Sequence, residues 1–97
     1  MKSTLLLLVA ASFMVAGAAS AQSGADLAKS KNCMGCHELE KKKVGPAFKD
    51  TAAKYKGDKA AEAKLVTALK EGKGHPVKVV ATDAELKTLV QYVMSTK

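Results

Sequence analysis

The chain has 97 residues, and its 16 basic residues, all lysine, outnumber nine acidic ones to give a formal net charge of +7. The absence of arginine argues against a nucleic-acid reader, because such proteins favour the bidentate guanidinium fork for bases and phosphates. A lysine-rich surface suits either transient, salt-sensitive docking on an acidic partner or a merely soluble face of scattered charge.

In chain order, Lys2 precedes a charge-free stretch, residues 3–21, with a leucine-rich middle and Ala19-Ser20-Ala21 in an A-x-A arrangement. This pattern predicts a secretory signal peptide, residues 1–21, cleaved after Ala21. Its apolar centre, Leu5 to Val15, is short for a membrane span of roughly 20 residues, so no stable membrane insertion is expected after cleavage. Residues 22–97 then form one exported, soluble, periplasmic domain of 76 residues. A domain this small buries little apolar surface and often recruits a staple.

The remaining elements read as all-α, with about four short helices. Ser23, three residues before Asp26, makes a capping-box-like start for a helix over residues 25–32. Gly35 and Gly45 punctuate a loop, and Pro46 is placed to open a second helix over 46–55, closed by Gly57. Asp58 can cap a third helix over 59–71, which Gly72 stops. Residues 77–80 are β-branched but too few and too isolated to make a sheet. The last helix follows a capping box, Thr82 to Glu85, and places Leu86, Leu89, Val90 and Val93 on one stripe.

Chemistry concentrates in Cys33-Met34-Gly35-Cys36-His37, a C-x-x-C-H motif. Two thiols three positions apart can reach the two vinyl groups on one porphyrin edge, and the next residue offers its imidazole to the iron, so the motif predicts covalent attachment of one haem c. Three other readings compete. A dithiol enzyme would need a βαβ context that the chain lacks. A zinc site from Cys33, Cys36, His37 and His75 would put adjacent residues on one tetrahedral ion. A disulfide across two intervening residues closes too small a loop to stabilise much.

Residues 31–55, KNCMGCHELEKKKVGPAFKDTAAKY, together with the final helix DAELKTLVQYVMS, resemble the class I cytochromes c of the small bacterial monohaem type. The resemblance implies an N-terminal helix crossing the C-terminal one around a wrapped haem. It further implies thioethers at Cys33 and Cys36, His37 as proximal iron ligand, and the Gly45-Pro46 step supplying a carbonyl to the proximal imidazole. That bond would fix the ring and make it a better donor. Phe48, Tyr55 and Tyr92 are candidates either for packing on the haem or for ordinary core.

Such cytochromes usually carry a methionine on the far side of the iron, in the loop before the last helix, and here the pattern breaks. Met1 and Met14 belong to the signal peptide, Met34 lies on the attachment turn, and Met94 falls on the stripe of the final helix. The loop holds His75 instead, followed by Pro76, which biases it toward an extended conformation. His75 is the expected distal ligand; an empty sixth site or ligation by Lys78, which must first lose a proton, are the alternatives. The functional expectation is a carrier of single electrons between redox partners, acidic ones in view of the charge, rather than an enzyme. A gas-binding or sensing haem protein is the alternative. A peroxidase is disfavoured, because neither an arginine nor a spare histidine remains for distal acid–base chemistry.

Overall fold

A computed structural model describes residues 22–97. The predicted signal peptide, with Met1 and Met14, lies outside the described residues.

Helix α1, Gly24–Ser30, begins where Ser23 Oγ accepts a hydrogen bond from the Asp26 N–H at 3.2 Å. Asp26 in its first turn and Lys29 in its last both complement the helix dipole. It is two residues shorter at its end than its sequence suggests, because Asn32 turns left-handed at φ 60° and redirects the chain into a 3₁₀ turn, Cys33–Gly35. Asparagine tolerates this conformation better than most residues.

Helix α2 spans Phe48–Lys54, with Ala47 at its N-cap. Pro46 therefore does not open it, contrary to the sequence expectation. In a helix starting at residue 46, the Pro46 carbonyl would accept from within the helix, whereas here it accepts from the His37 ring. The Phe48 and Lys49 amides, free at the helix start, donate to the carbonyls of Glu38 (2.9 Å) and Leu39 (3.1 Å).

Helix α3 covers Ala61–Glu71, also two residues later than expected. Asp58 spends its carboxylate on the Ala60 N–H (2.9 Å), capping the turn that leads into the helix. Gly72 ends it with φ 71°. Helix α4, Asp83–Met94, carries the predicted capping box in full: Thr82 Oγ1 accepts from Glu85 N and Glu85 Oε1 from Thr82 N. Residues 77–80 form no strand, and no strand occurs among the described residues, so the fold is all-α.

Helix α4 is the hub, packed by α1, α2 and α3. Its Leu86, Leu89 and Val90 are buried as the stripe predicted, whereas Val93 and Met94, a turn further on, are half-buried. Helix α1 crosses α4 with Gly24 against it: a Cβ there would stand 2.8 Å from Tyr92 Cγ and 3.2 Å from the Thr88 carbonyl oxygen. The central cluster is Leu27, Ala28, Phe48 and Leu89, with Cys33, Met34, Leu69, Tyr92 and Val93 half-buried around it. Met34, on the turn between the two cysteines, packs against this cluster. The buried side chains are few and small, which matches a domain that needs more than its own core. Val44, Val77 and Val80 remain 77, 58 and 87% exposed.

Candidate functional site

The attachment turn is built by backbone hydrogen bonds that fold residues 32–37 into one compact unit. The amides of Cys36 and His37 both donate to the Cys33 carbonyl, at 3.1 and 2.9 Å, and Gly35 N donates to Asn32 O at 3.2 Å. Cys33 and Cys36 are half-buried free thiols, not joined to each other. Burial pushes the Cys33 thiol pKa up, and a hydrogen bond with its own backbone offsets part of the rise.

His37 leaves this turn half-buried, its ring near Phe48 with centroids 5.2 Å apart and planes 28° from parallel. Its Nδ1 lies 2.7 Å from the Pro46 carbonyl oxygen. A carbonyl can only accept, so Nδ1 is the donor, which in the neutral ring leaves the Nε2 lone pair free. Gly45 explains how the carbonyl comes so close: a Cβ there would stand 2.6 Å from Nδ1 and 2.7 Å from Nε2, inside the ring's own space. The 37–46 loop is braced by Gly45 N to Cys36 O (2.7 Å), by Lys43 N to Gly45 O (3.0 Å), and by Lys43 Nζ reaching back to Met34 O (3.3 Å).

His75 comes from the opposite side of the sequence to the same place. The loop after α3 turns through Gly72 and Gly74, both left-handed, and a single backbone bond, Val79 N to Leu69 O at 2.8 Å, ties its far end to α3. The His75 Nδ1 lies 2.7 Å from the Val77 carbonyl oxygen, so by the same argument Nε2 is free here too. The two imidazoles lie 15° from parallel with centroids 6.2 Å apart. A haem iron held here would take one ring nitrogen from each histidine.

The residues present therefore fit a haem. They supply two imidazoles, two thiols in the turn that leads to one of them, and Phe48 beside His37, itself part of the buried cluster against which Cys33, Leu69, Tyr92 and Val93 pack. They do not fit a protein-held zinc: among the described residues no group of three or more His, Cys, Asp or Glu side chains is placed to hold a metal ion. A haem brings ring nitrogens of its own, so only His37 and His75 would be needed from the protein to hold its iron.

Of the other sequence candidates, Tyr92 meets Phe48 edge-on with centroids 6.3 Å apart. Tyr55 is half-buried, with Lys54 Nζ 5.4 Å from its ring centroid. Lys78 is exposed, its stem beside Gly72 at 3.1 Å from where a Cβ would sit there. The Val77 carbonyl had no sequence signal beyond its place two residues after a histidine and one after a proline. A groove between α3 and α4, lined among others by Glu62, Val66, Lys70 and Asp83, includes neither histidine.

An all-α domain with two near-parallel imidazoles beside a C-x-x-C turn is the architecture of a small haem-carrying protein. Residues 21–97 match the family model described as Cytochrome c. Cytochrome c-552 of Nitrosomonas europaea is 40% identical over 95 residues, covering 91% of this chain and 90% of that protein. Cytochrome c-552 of Hydrogenobacter thermophilus is 46% identical over 77 residues, 73% of this chain and 79% of its own. Among solved structures, wild-type Nitrosomonas europaea cytochrome c552 superposes with a TM-score of 0.67 at 40% identity, over 75% of this chain and 99% of that one. The class 1 cytochrome MtoD of Sideroxydans lithotrophicus gives 0.62 at 30% identity, over 75% and 91%. The chain belongs to the cytochrome c family, and within it to the small class I monohaem type that carries covalent haem c and transports electrons.

Proposed function

We propose that residues 22–97 are an exported, soluble carrier of single electrons whose haem c is joined to Cys33 and Cys36 and ligated axially by His37 and His75. One observation carries the bis-histidine reading: two near-parallel imidazoles 6.2 Å apart, each with Nδ1 at 2.7 Å from a main-chain carbonyl oxygen. Bound haem c supplies an iron that cycles between the ferric and ferrous states. The protein's part is to keep that change from demanding rearrangement. Gly45 and Pro46 orient the His37 ring, Phe48 packs beside it, and the helices on α4 exclude water from one side.

Export to the periplasm behind a cleaved signal peptide, residues 1–21, rests on the basic, apolar and small-residue regions in order. Among the described residues, no helix is long and apolar enough to cross a membrane. Docking on an acidic redox protein is supported by where charge is left uncompensated. The ion pairs among the described residues, such as Lys70 to Asp83 (2.8 Å) and Lys64 to Asp58 (3.1 Å), all lie on α3, α4 and their flanking turns. None involves Lys41, Lys42 or Lys43, on the loop that carries Gly45, although Glu38 and Glu40 temper the charge there.

The test is the optical spectrum of the haem-loaded protein with and without carbon monoxide, beside that of His75→Ala. A low-spin ferrous spectrum that carbon monoxide leaves unchanged, turning high-spin and reactive in His75→Ala, is the expected result. Identical spectra for the two proteins would remove His75 from the iron.

A further inference from the structure

The second carbonyl tether is on a segment with no evident reason to have one. Pro46 is held by a braced loop, whereas Val77 is only two residues beyond the histidine whose ring it holds. A contact that short in sequence requires a turn, and Pro76 sits at its centre. Its pyrrolidine ring fixes φ near −65° and so pre-forms the bend, while the residue before a proline is pushed toward the extended region. Gly74, at φ 70°, has nothing within 4 Å of where a Cβ would be, so its requirement is conformational: it aims the chain into the turn.

An imidazole has two ways to present a nitrogen and free rotation about its Cβ–Cγ bond. A carbonyl bound at Nδ1 settles both. It leaves Nε2 as the only donor atom, and it fixes the ring plane. The result is a His75 plane only 15° from that of His37, although the two rings come from loops that share no direct tie.

We infer that His75-Pro76-Val77 is a positioning element in which the Val77 main-chain carbonyl, returned to the His75 ring by Pro76, selects Nε2 as the donor and holds the ring parallel to that of His37. The inference rests on the bis-histidine reading above. Its chemical consequence is twofold. A ring nitrogen hydrogen-bonded to a carbonyl makes the imidazole a stronger donor, favouring ferric iron and lowering the potential. Parallel axial planes split the iron's d orbitals in a defined way, which the ferric electron paramagnetic resonance spectrum reports directly.

The experiment compares three haem-loaded proteins: the parent, Pro76→Gly and His75→Ala. Pro76→Gly keeps the imidazole and releases the bend. It is expected to stay low-spin, to show a ferric resonance broadened and moved from the parent's, and to have a higher potential. The hyperfine-shifted Nδ1–H of His75 should exchange with deuterium several-fold faster than in the parent, as for loss of one neutral hydrogen bond. Unchanged resonance, potential and exchange would overturn the inference while leaving ligation intact. A parent protein that resembles His75→Ala would instead overturn ligation itself. If Pro76→Gly does not mature, the parent decides alone. A His75 Nδ1–H as slow to exchange as that of His37 supports the tether, and one as fast as exposed loop amides refutes it.

Discussion

The two loops that meet at the histidines are held in opposite ways. Residues 34–49 are cross-tied at six points: Gly45 to Cys36, Lys43 to Gly45 and to Met34, Phe48 to Glu38, Lys49 to Leu39, and His37 to Pro46. The 72–82 loop is fixed by its helix-stopping Gly72, the capping box at Thr82 and one backbone bond from Val79, and its histidine is tied only to a neighbour two residues away. Many weak constraints acting together give the first loop one conformation. The second depends on a few, so it can open locally without the rest of the fold following. On the bis-histidine reading proposed above, the His37 side would define the site and the His75 side would tune it.

Removing the staple should have the largest effect. Cys33→Ala with Cys36→Ala, produced without attached haem, is expected to be largely unfolded, since the buried core of small helices is too slight alone. Circular dichroism showing native helix content would break the account at its base.

A matched pair of glycine substitutions sharpens the contrast between the loops. Gly45→Ala drives a methyl group into the His37 ring and is expected to cost about 1–3 kcal/mol by overpacking, with the imidazole displaced and the ferric spectrum altered. Gly74→Ala meets no atoms, and only its left-handed φ matters, at about 1–2 kcal/mol, with His37 undisturbed. Denaturant melts and spectra of the two variants measure this, and equal spectral changes would erase the distinction.

Hydrogen exchange offers a second comparison without mutation. The amides of Gly45, Phe48 and Lys49 are bonded across the loop and should exchange far more slowly than those of residues 73–78. Equal protection would mean that the second loop is held by something other than its few backbone ties.

Smaller effects come from the helix that anchors the second loop. Thr82→Ala is expected to cost about 1 kcal/mol through loss of the N-cap. The Thr82 N–H bonded to Glu85 holds that carboxyl below its ordinary range, helped by the Thr82 side chain. A depressed folded-state pKa gives stability that is fully present above the unfolded value and is lost as pH falls through the folded one. The gap between the parent and Glu85→Ala should therefore shrink as the solution is acidified through the carboxylate range, and thermal melts at several pH values would follow it.

How much was legible beforehand differs between these regions for physical reasons. The α4 capping box is a local pattern whose geometry follows from spacing, and it stands as expected. The starts of α2 and α3 were each misplaced by two residues, because side chains elsewhere took the groups that a helix would have used. The His37 ring took the Pro46 carbonyl, and the Ala60 amide took the Asp58 carboxylate. Nothing in the sequence indicated that Gly24 lies against Tyr92, a fact of packing between two helices, or that Val77 returns to His75, a fact of how one short loop turns.

The most direct test of the central claim counts the nitrogens on the iron. Electron–nuclear double resonance of the ferric, haem-loaded protein, made with 15N-labelled histidine, should show two strongly coupled imidazole nitrogens, one lost in His75→Ala. A single coupled histidine nitrogen in the parent would contradict ligation by the His37 and His75 pair.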